Sequence, residues 1–455
     1  MSVRISRWRN ELRYGLRFLG RDNPACALRL RQLSITERML PEELVSWADR
    51  RLLSTLQHAV RKLPFYRSIR LDCDARNVRE VLADRFPIIS REQLVEERTA
   101  LYPRRGRKAP WYSLGLTSGT SGAPLDVFRS PGSVIWEHAF VRRHLGWSGY
   151  RPGMPCAYLR GDQVVPITQG RPPFWFHNRY NNQLVVSTRH LRDEFADAII
   201  GSLIAFRPFL MQAYPSAAFD LALLLEKRDQ ALKIPFLYTS SEPLYRHQRD
   251  LIERRLAMKV MDFYGMAERV AFGTECEQGA LHINSDYSHV EIVDERGQPT
   301  RGEGYVVGTT YHNLAMPLIR YRLTDRTRWL AETCACGRPF PQACAITGKF
   351  EDSVFGAQGQ RISPSVITFI FKGLNHIQRS QVAQVGAGVW ELRVVPMAGF
   401  GQAERDLLVR NLHAMVDPQL TASVVEVTDI PRTPAGKYRW IVNEHRAADV
   451  DTHAR

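Results

Sequence analysis

Ile5, Trp8, Leu12, Leu16 and Leu19 recur at three- and four-residue steps, with Arg4, Arg9, Arg13 and Arg17 between them. Steps of that size line one face of an α-helix, so the segment predicts an amphipathic helix with a basic flank. Its simpler placement packs the apolar face on the domain under a solvated row of arginines; the other is peripheral membrane contact through residues 1–21. A second helix is expected from Glu42 to Leu63, stopped by Pro64. The period then changes. Trp111, Tyr112, Leu114 and Leu116 precede a run of glycine and hydroxyl residues, and Val127 and Phe128 follow it, predicting strand, loop and strand over 109–129.

Between Asp193 and Val270 helix and strand patterns alternate. Helices are expected over Ala196 to Phe206, Ala217 to Lys227 and Tyr245 to Met258, and strands over Pro235 to Tyr238 and Val260 to Phe263. Alternation of this kind marks an α/β domain. Residues 287–330 read as consecutive strands. A glycine-containing stretch from Gly348 to Gly359 marks the expected boundary, and beyond it strands near Val382 and Trp390 and a helix from Gln402 to Met415 make a small α+β domain. The predicted organisation is therefore a large α/β domain of mixed sheets and helices over 1–347, helical and basic in 1–110, and a small mobile domain over 348–455.

Composition narrows the classes. With 44% hydrophobic and 24% charged residues the chain is neither disordered nor fibrous. It holds no run of 18 apolar residues and no apolar leader followed by a small-residue cleavage site, so a cytoplasmic protein is expected. Seven cysteines, three of them between Cys334 and Cys344, suit a reducing compartment and metal ligation better than disulfides. The formal charge is +15, and residues 1–110 carry 24 basic against 13 acidic side chains, or +11 of it. Such a balance favours anionic partners: nucleotide phosphates, an acidic carrier protein or a membrane surface. Nucleic acid is not expected, because no zinc-finger, homeodomain-like or RNA-binding signature accompanies the charge.

The most informative stretch is Leu116-Thr117-Ser118-Gly119-Thr120-Ser121-Gly122-Ala123-Pro124. Two glycines free the backbone to turn its N–H groups inward, and the hydroxyls add donors, so the loop can wrap a polyphosphate. It lacks the Gly-Lys-Ser/Thr ending of the nucleotide loop that opens a helix, so a different fold is implied. Further motifs follow in order: Ser240-Ser241-Glu242-Pro243, Asp262-Phe263-Tyr264-Gly265-Met266-Ala267-Glu268, Arg320-Tyr321-Arg322-Leu323-Thr324-Asp325, Gly348-Lys349-Phe350-Glu351-Asp352, and Pro434-Ala435-Gly436-Lys437. This series resembles the adenylate-forming ligases, most closely the phenylacetate-CoA ligase-like family with its branch named after capsule biosynthesis, over nearly the whole chain.

The resemblance implies a division of labour. Thr117, Ser118, Gly119, Thr120, Ser121 and Gly122 cradle the β- and γ-phosphates of ATP. Thr120 and Glu268 offer oxygens to Mg²⁺, which keeps phosphate and water as its other ligands. Tyr264, followed by Gly265, stacks on adenine in a pocket lined by Ser241, Glu242 and Asp262, and Asp325 accepts from the ribose hydroxyls. Lys437 bridges the substrate carboxylate and the α-phosphate, two anions that otherwise repel. At the hinge, Glu351 or Asp352 turns the small domain, and Lys349 stands where most relatives carry arginine, so it meets a ribose or phosphate oxygen without a bidentate fork. Gly356, Gly359 and Arg361 match the loop that swings in for coenzyme A. Trp136, Phe140 and Tyr214 are candidates for an aromatic-lined acid pocket.

Cys276, His282, Cys334 and Cys336 supply three thiolates and one imidazole, enough for a closed tetrahedral shell around a structural Zn²⁺. The spacing fits no standard finger, and buried thiols are the alternative; some members of the resembled family carry metal ligands at matching places, and Cys344 is a spare. The expected activity is ATP-dependent conversion of an acid to its acyl-adenylate, then transfer to coenzyme A. Transfer to an amine or a carrier-protein thiol is the rival reaction, and a non-catalytic membrane-surface module the rival class.

Overall fold

The computed structural model describes residues 3–101, 112–116, 126–347, 352–374, 376–430 and 439–445. Its backbone is a nine-stranded sheet in the order β14-β10-β9-β8-β7-β6-β3-β5-β4. The five central strands are parallel: β5 (Gln183–Val186), β3 (Cys156–Leu159), β6 (Leu210–Ala213), β7 (Ile234–Ser240) and β8 (Ala257–Gly265). One margin is closed by antiparallel β4 (Trp175–Asn178), the other by β9 (Phe272–Glu275), β10 (Leu281–Ile283) and β14 (Gln342–Ala343). Parallel neighbours need crossovers, and the helices expected from the sequence provide them. In the numbering of helices along the chain, α8 (Ala196–Phe206) joins β5 to β6, α9 (Pro215–Lys227) joins β6 to β7, and α10 (Arg246–Arg255) joins β7 to β8. The last helix stops at Arg255 and not at Met258, because Ala257 and Met258 already belong to β8.

The N-terminal part is helical, with α1 (Val3–Arg21), α2 (Pro24–Thr36), α3 (Pro41–Lys62), α4 (Val78–Arg85), α5 (Arg91–Glu96) and α6 (Arg98–Leu101), followed by α7 (Pro131–Gly146). In α3, Pro41 occupies the first turn, the Glu43 carboxylate accepts from the Leu40 N–H at 2.9 Å, and Leu44, Ala48, Leu52, Leu56 and Ala59 form one buried stripe. That stripe joins a core with Phe86, Ile89 and Phe128 against the three-stranded sheet β11 (Ser288–Val293), β12 (Gly304–Thr310) and β13 (Tyr321–Thr327). The hairpin of β1 (Ser113–Leu116) and β2 (Asp126–Arg129) carries the segment 117–125 between its ends.

After β15 (Val354–Phe355) and β16 (Arg361–Ile362) the chain forms a second α+β layer. Its sheet, in the order β19-β18-β17-β20, pairs β17 (Ile377–Gly386) with β18 (Val389–Pro396) and takes β19 (Thr421–Glu426) and β20 (Ile441–Asn443) as parallel edges, while α11 (Pro364–Ile367) and α12 (Gln402–Met415) pack with it. Trp390, Leu412 and Trp440 of this layer share one core cluster with Leu159, Leu221 and Val260 of the large sheet. Among the described residues no helix is long and apolar enough to cross a membrane.

Candidate functional site

The candidate site is built at the carboxyl ends of the parallel strands. The chain leaves β3 toward β5 and β4, crosses back to β6, and then proceeds through β7 to β8, so connections diverge between β3 and β6. Ligands of open α/β sheets bind in the crevice opened by that divergence. Arg160 follows β3 and Tyr214 follows β6, and the Arg160 guanidinium lies 5.4 Å from the Tyr214 ring centroid and 5.9 Å from that of Phe263. Its Nη2 donates to Ser240 Oγ at 2.6 Å and Ser241 Oγ at 3.0 Å. Ser241 stands at φ +73°, a left-handed backbone uncommon outside glycine. Beside it, Glu242 accepts from the Ser216 N–H at 3.0 Å and from the Ser363 hydroxyl, and burial raises its carboxyl pKa. Asp262, on the neighbouring strand, accepts from Thr239 Oγ1 at 2.6 Å; burial first, and then the Glu275 carboxylate, push it up to about 7.

Tyr264 and Gly265 end β8. The Tyr264 hydroxyl donates to Asp325 Oδ2 at 2.6 Å, joining two motifs 61 residues apart, and burial raises the phenol well above its ordinary range. Glu268 is buried with Arg91 Nη1 at 3.9 Å. The preceding carbonyl, that of Ala267, accepts from Arg129 Nη2 at 2.8 Å, which fastens β2 to the turn that bears Glu268. Arg129 passes so close beneath β1 that a Cβ on Gly115 would stand 2.1 Å from its Cζ, so any larger residue there must displace the guanidinium. Burial, and then the Arg269 charge, lower the Arg129 guanidinium to about 10. The hairpin thus delivers the ends of the candidate phosphate loop toward Glu268. Thr117, Ser118, Gly119, Thr120, Ser121 and Gly122 themselves lie outside the described residues, as do Lys349, Glu351 and Lys437.

Two hinge and loop motifs of the C-terminal layer are described. Asp352 accepts from the Asn443 N–H at 2.9 Å and pairs with Arg439. Gly356 has no room for a side chain: a Cβ would fall 2.3 Å from Gln360 Nε2 and 2.6 Å from Asp417 Oδ2, a pair bonded at 2.7 Å. Gly359 turns the β15–β16 hairpin at φ +75° with open space beside it. Arg361 Nε stands 3.0 Å from Asp220 Oδ1 on α9, and burial of Asp220, eased by that charge, holds its carboxyl up at about 6. With Ser363 on Glu242, and with Arg189 donating to the Met415 carbonyl and, at 2.9 Å, to that of Gly161, the C-terminal layer closes over the strand ends. Arg160 and Arg189 are absent from the sequence-derived candidates; in a chain of 54 arginines nothing local distinguishes them. Trp136 and Phe140 pack with Phe272 and Tyr287 in a cluster that Phe263 also touches, and Tyr214 lies beside Arg160.

A separate cluster lies at the β9–β10 margin. The donor atoms of Cys276, His282, Cys334 and Cys336 all fall within 4.8 Å of one another. Ligands 2.0–2.3 Å from a tetrahedral centre stand roughly 3.3 to 3.8 Å apart, and here Cys276 Sγ is 3.7 Å from Cys334 Sγ and Cys336 Sγ 3.4 Å from His282 Nε2. His282 Nδ1 faces the Phe340 carbonyl at 2.9 Å. A carbonyl only accepts, so Nδ1 holds the proton and Nε2 presents its lone pair to the thiols, the arrangement of a histidine poised as a ligand. Cys344 is outside the group and its N–H bonds Arg328 O.

Comparison with known proteins agrees with this geometry. Residues 354–444 match the CapK C-terminal domain. Phenylacetate-coenzyme A ligase of Thermus thermophilus is 25% identical over 90% of this chain and 98% of its own, and that of Escherichia coli K12 is 26% identical over 71% and 75%. Protein CapK of Staphylococcus aureus is 25% identical over 46% of each chain. Among solved structures, 2-hydroxyisobutyryl-CoA ligase with its acyl-AMP and CoA superposes with a TM-score of 0.56 at 19% identity, covering 92% of this chain and 93% of that one. The chain is thus similar in sequence to phenylacetate-coenzyme A ligases and to CapK, and shares the fold of 2-hydroxyisobutyryl-CoA ligase.

Proposed function

We propose that this protein is an AMP-forming acid-thiol ligase. A substrate carboxylate oxygen attacks the α-phosphate of ATP, the bond to the β-phosphate bridge breaks, and pyrophosphate leaves. The thiol of coenzyme A then attacks the acyl carbon, the bond to AMP breaks, and the thiol proton is released to solvent as the thioester forms. The observation that supports this reading most directly is the meeting of Tyr214, Glu242, Tyr264, Asp325 and Glu268 at one strand edge, beside a hairpin fastened to the Glu268 turn. Phenylacetate-coenzyme A ligase of Thermus thermophilus aligns over 90% of this chain.

In this reading Tyr264 and Asp325 receive the nucleoside, the 117–122 loop its phosphates, and Lys437 the charge that develops between carboxylate and α-phosphate. Mg²⁺, held through Thr120 and Glu268, neutralises phosphate charge when bound. Arg160, for which no ion-pair partner is found among the described residues, is the cation this edge presents to the acid. Domain 348–455 turns about Glu351 or Asp352, so that Lys437 serves the first half-reaction and the Gly356-Gly359-Arg361 loop the second. Zn²⁺ at Cys276, His282, Cys334 and Cys336 is structural, because all four positions belong to protein atoms. The acid and its acceptor meet at the strand edge, whereas peripheral membrane contact belongs to α1; the two stand or fall separately.

A pyrophosphate-release screen over aryl, alkyl and hydroxy acids, with and without coenzyme A, tests the proposal. At least one acid is expected to release pyrophosphate alone and AMP on adding coenzyme A. AMP release that instead needs an amine or an acidic carrier protein redirects the second step. No release with any acid would leave a binding module.

A further inference from the structure

The first helix faces the wrong way for a packed amphipathic helix. Its docked side is polar and aromatic: Asn10 Nδ2 donates to Val164 O at 2.8 Å, the Tyr14 ring stacks on Phe176 at 5.5 Å, and Phe18 stacks on Tyr180 at 5.9 Å. Arg13 and Arg17 bend onto Asp162, which lies on the same loop as Val164. The apolar stripe points outward, with Trp8 70%, Leu12 50%, Leu16 61% and Leu19 69% exposed. At 3.6 residues per turn these four fall within an arc of about 80°, centred roughly 160° from the centre of Asn10, Tyr14 and Phe18. The packed arrangement expected from the sequence is therefore reversed. The side chains that anchor the helix are the ones an apolar-periodicity rule ignores.

We propose that this stripe docks on an anionic phospholipid surface, seating α1 in the interface plane. Residues 1–21 carry six arginines against one acid, Glu11; Arg13 and Arg17 are paired with Asp162, and Arg9 is exposed at the border of the stripe. Leucines and a tryptophan on one side, with cations flanking them, match the boundary between acyl chains and headgroups. A second copy of the chain fits less well, since stripe-to-stripe contact brings two arginine-rich helices together in a protein of net charge +15. The anchor also has mechanical support, because its clamp at Asp162 and Val164 belongs to the loop that leaves the sheet just after Arg160. Docking at α1 therefore holds the sheet near the crevice at a lipid surface. This inference does not depend on the ligase reading.

Co-sedimentation of the full chain with vesicles tests it. Vesicles of equal parts phosphatidylglycerol and phosphatidylcholine are expected to carry the protein down, phosphatidylcholine alone to do so weakly, and added salt to release it. Leu12→Glu with Leu16→Glu alters only solvent-facing positions, and should lower binding by about tenfold or more while circular dichroism and melting temperature stay as in the parent. Equal sedimentation of parent and double variant, or of the parent with both vesicle types, overturns the proposal. So does a parent that is dimeric in solution and a double variant that is monomeric, since the stripe then covers itself.

Discussion

Asp262 is the residue at this edge whose ionisation is most directly testable. Its carboxyl stands near 7 in the folded protein against an ordinary 3.8, mainly because it is buried. A raised acid pKa means that folding favours the protonated form, so its stabilising contribution is complete below about 4 and is lost as pH climbs through 7. Asn cannot ionise and keeps the acceptor for Thr239. Asp262→Asn is therefore expected to melt progressively higher than the parent as pH rises from 5 to 8, a difference read by calorimetry in matched buffers. A constant difference across that range would place the ionisation elsewhere. The same scale shows where sequence reading ends. Tyr264, Asp325 and Glu268 were legible because each sits in a short motif of unusual residues. Arg160 was not, because its role comes from the end of β3 meeting the end of β6, a juxtaposition with no local signature. Arg160→Met should raise the KM for the acid tenfold or more, about 1.4 kcal/mol of lost contact, and leave the KM for ATP within about twofold. An equal rise for ATP would reassign Arg160 to the nucleotide.

Elements differ in legibility for a reason of length. The helices of α8 and α3 emerged close to their true limits because eleven and twenty-two residues carry several turns of periodicity. Strands β3, β4, β5 and β6 hold four residues each, too few to show a period, yet they make the part of the sheet where the crevice opens. α1 was legible as a helix and misread in orientation, since Tyr14 and Phe18 prefer ring partners on β4 and its following turn to the aliphatic stripe. Cysteine clustering was readable as a candidate, and the sheet supplies its geometry: β9 runs into Cys276 and β10 carries His282, while a turn at Gly337 brings in Cys334 and Cys336. Purified protein prepared without chelators should contain about one zinc per chain, and Cys336→Ser should lower both zinc content and melting temperature, because a ligand set formed only in the fold links binding to stability. Protein free of zinc, with unchanged melting in the variant, would leave three thiols and an imidazole, two of the four buried, and no metal centre.

At the scale of the whole molecule, the C-terminal layer is held over the strand ends by polar contacts: Ser363 with Glu242, Arg361 with Asp220, and Arg189 with two carbonyls at the end of α12. Contacts of this type can be exchanged at modest cost, and turning the layer would also part the apolar cluster it shares with the large sheet. In the proposed cycle Lys437 serves the α-phosphate in one orientation, and the hairpin that carries Gly356 and Gly359 serves the crevice in the other. The two half-reactions should then fail separately. Lys437→Ala removes the ammonium proposed to bridge carboxylate and phosphate in the transition state, and should slow acyl-adenylate formation on the order of a hundredfold or more. Given a synthetic acyl-adenylate, the same variant should make thioester at nearly the parent rate. Gly359→Asn should do the reverse. Asparagine tolerates the left-handed backbone at that turn better than other side chains, and the open space beside it accepts the group without repacking, so the effect reads bulk and not unfolding. Pyrophosphate release should survive in Gly359→Asn while transfer to coenzyme A is lost. If Lys437→Ala fails equally from the preformed adenylate, or if Gly359→Asn impairs both steps alike, one fixed orientation performs both reactions and the exchange of Lys437 for the hairpin does not occur.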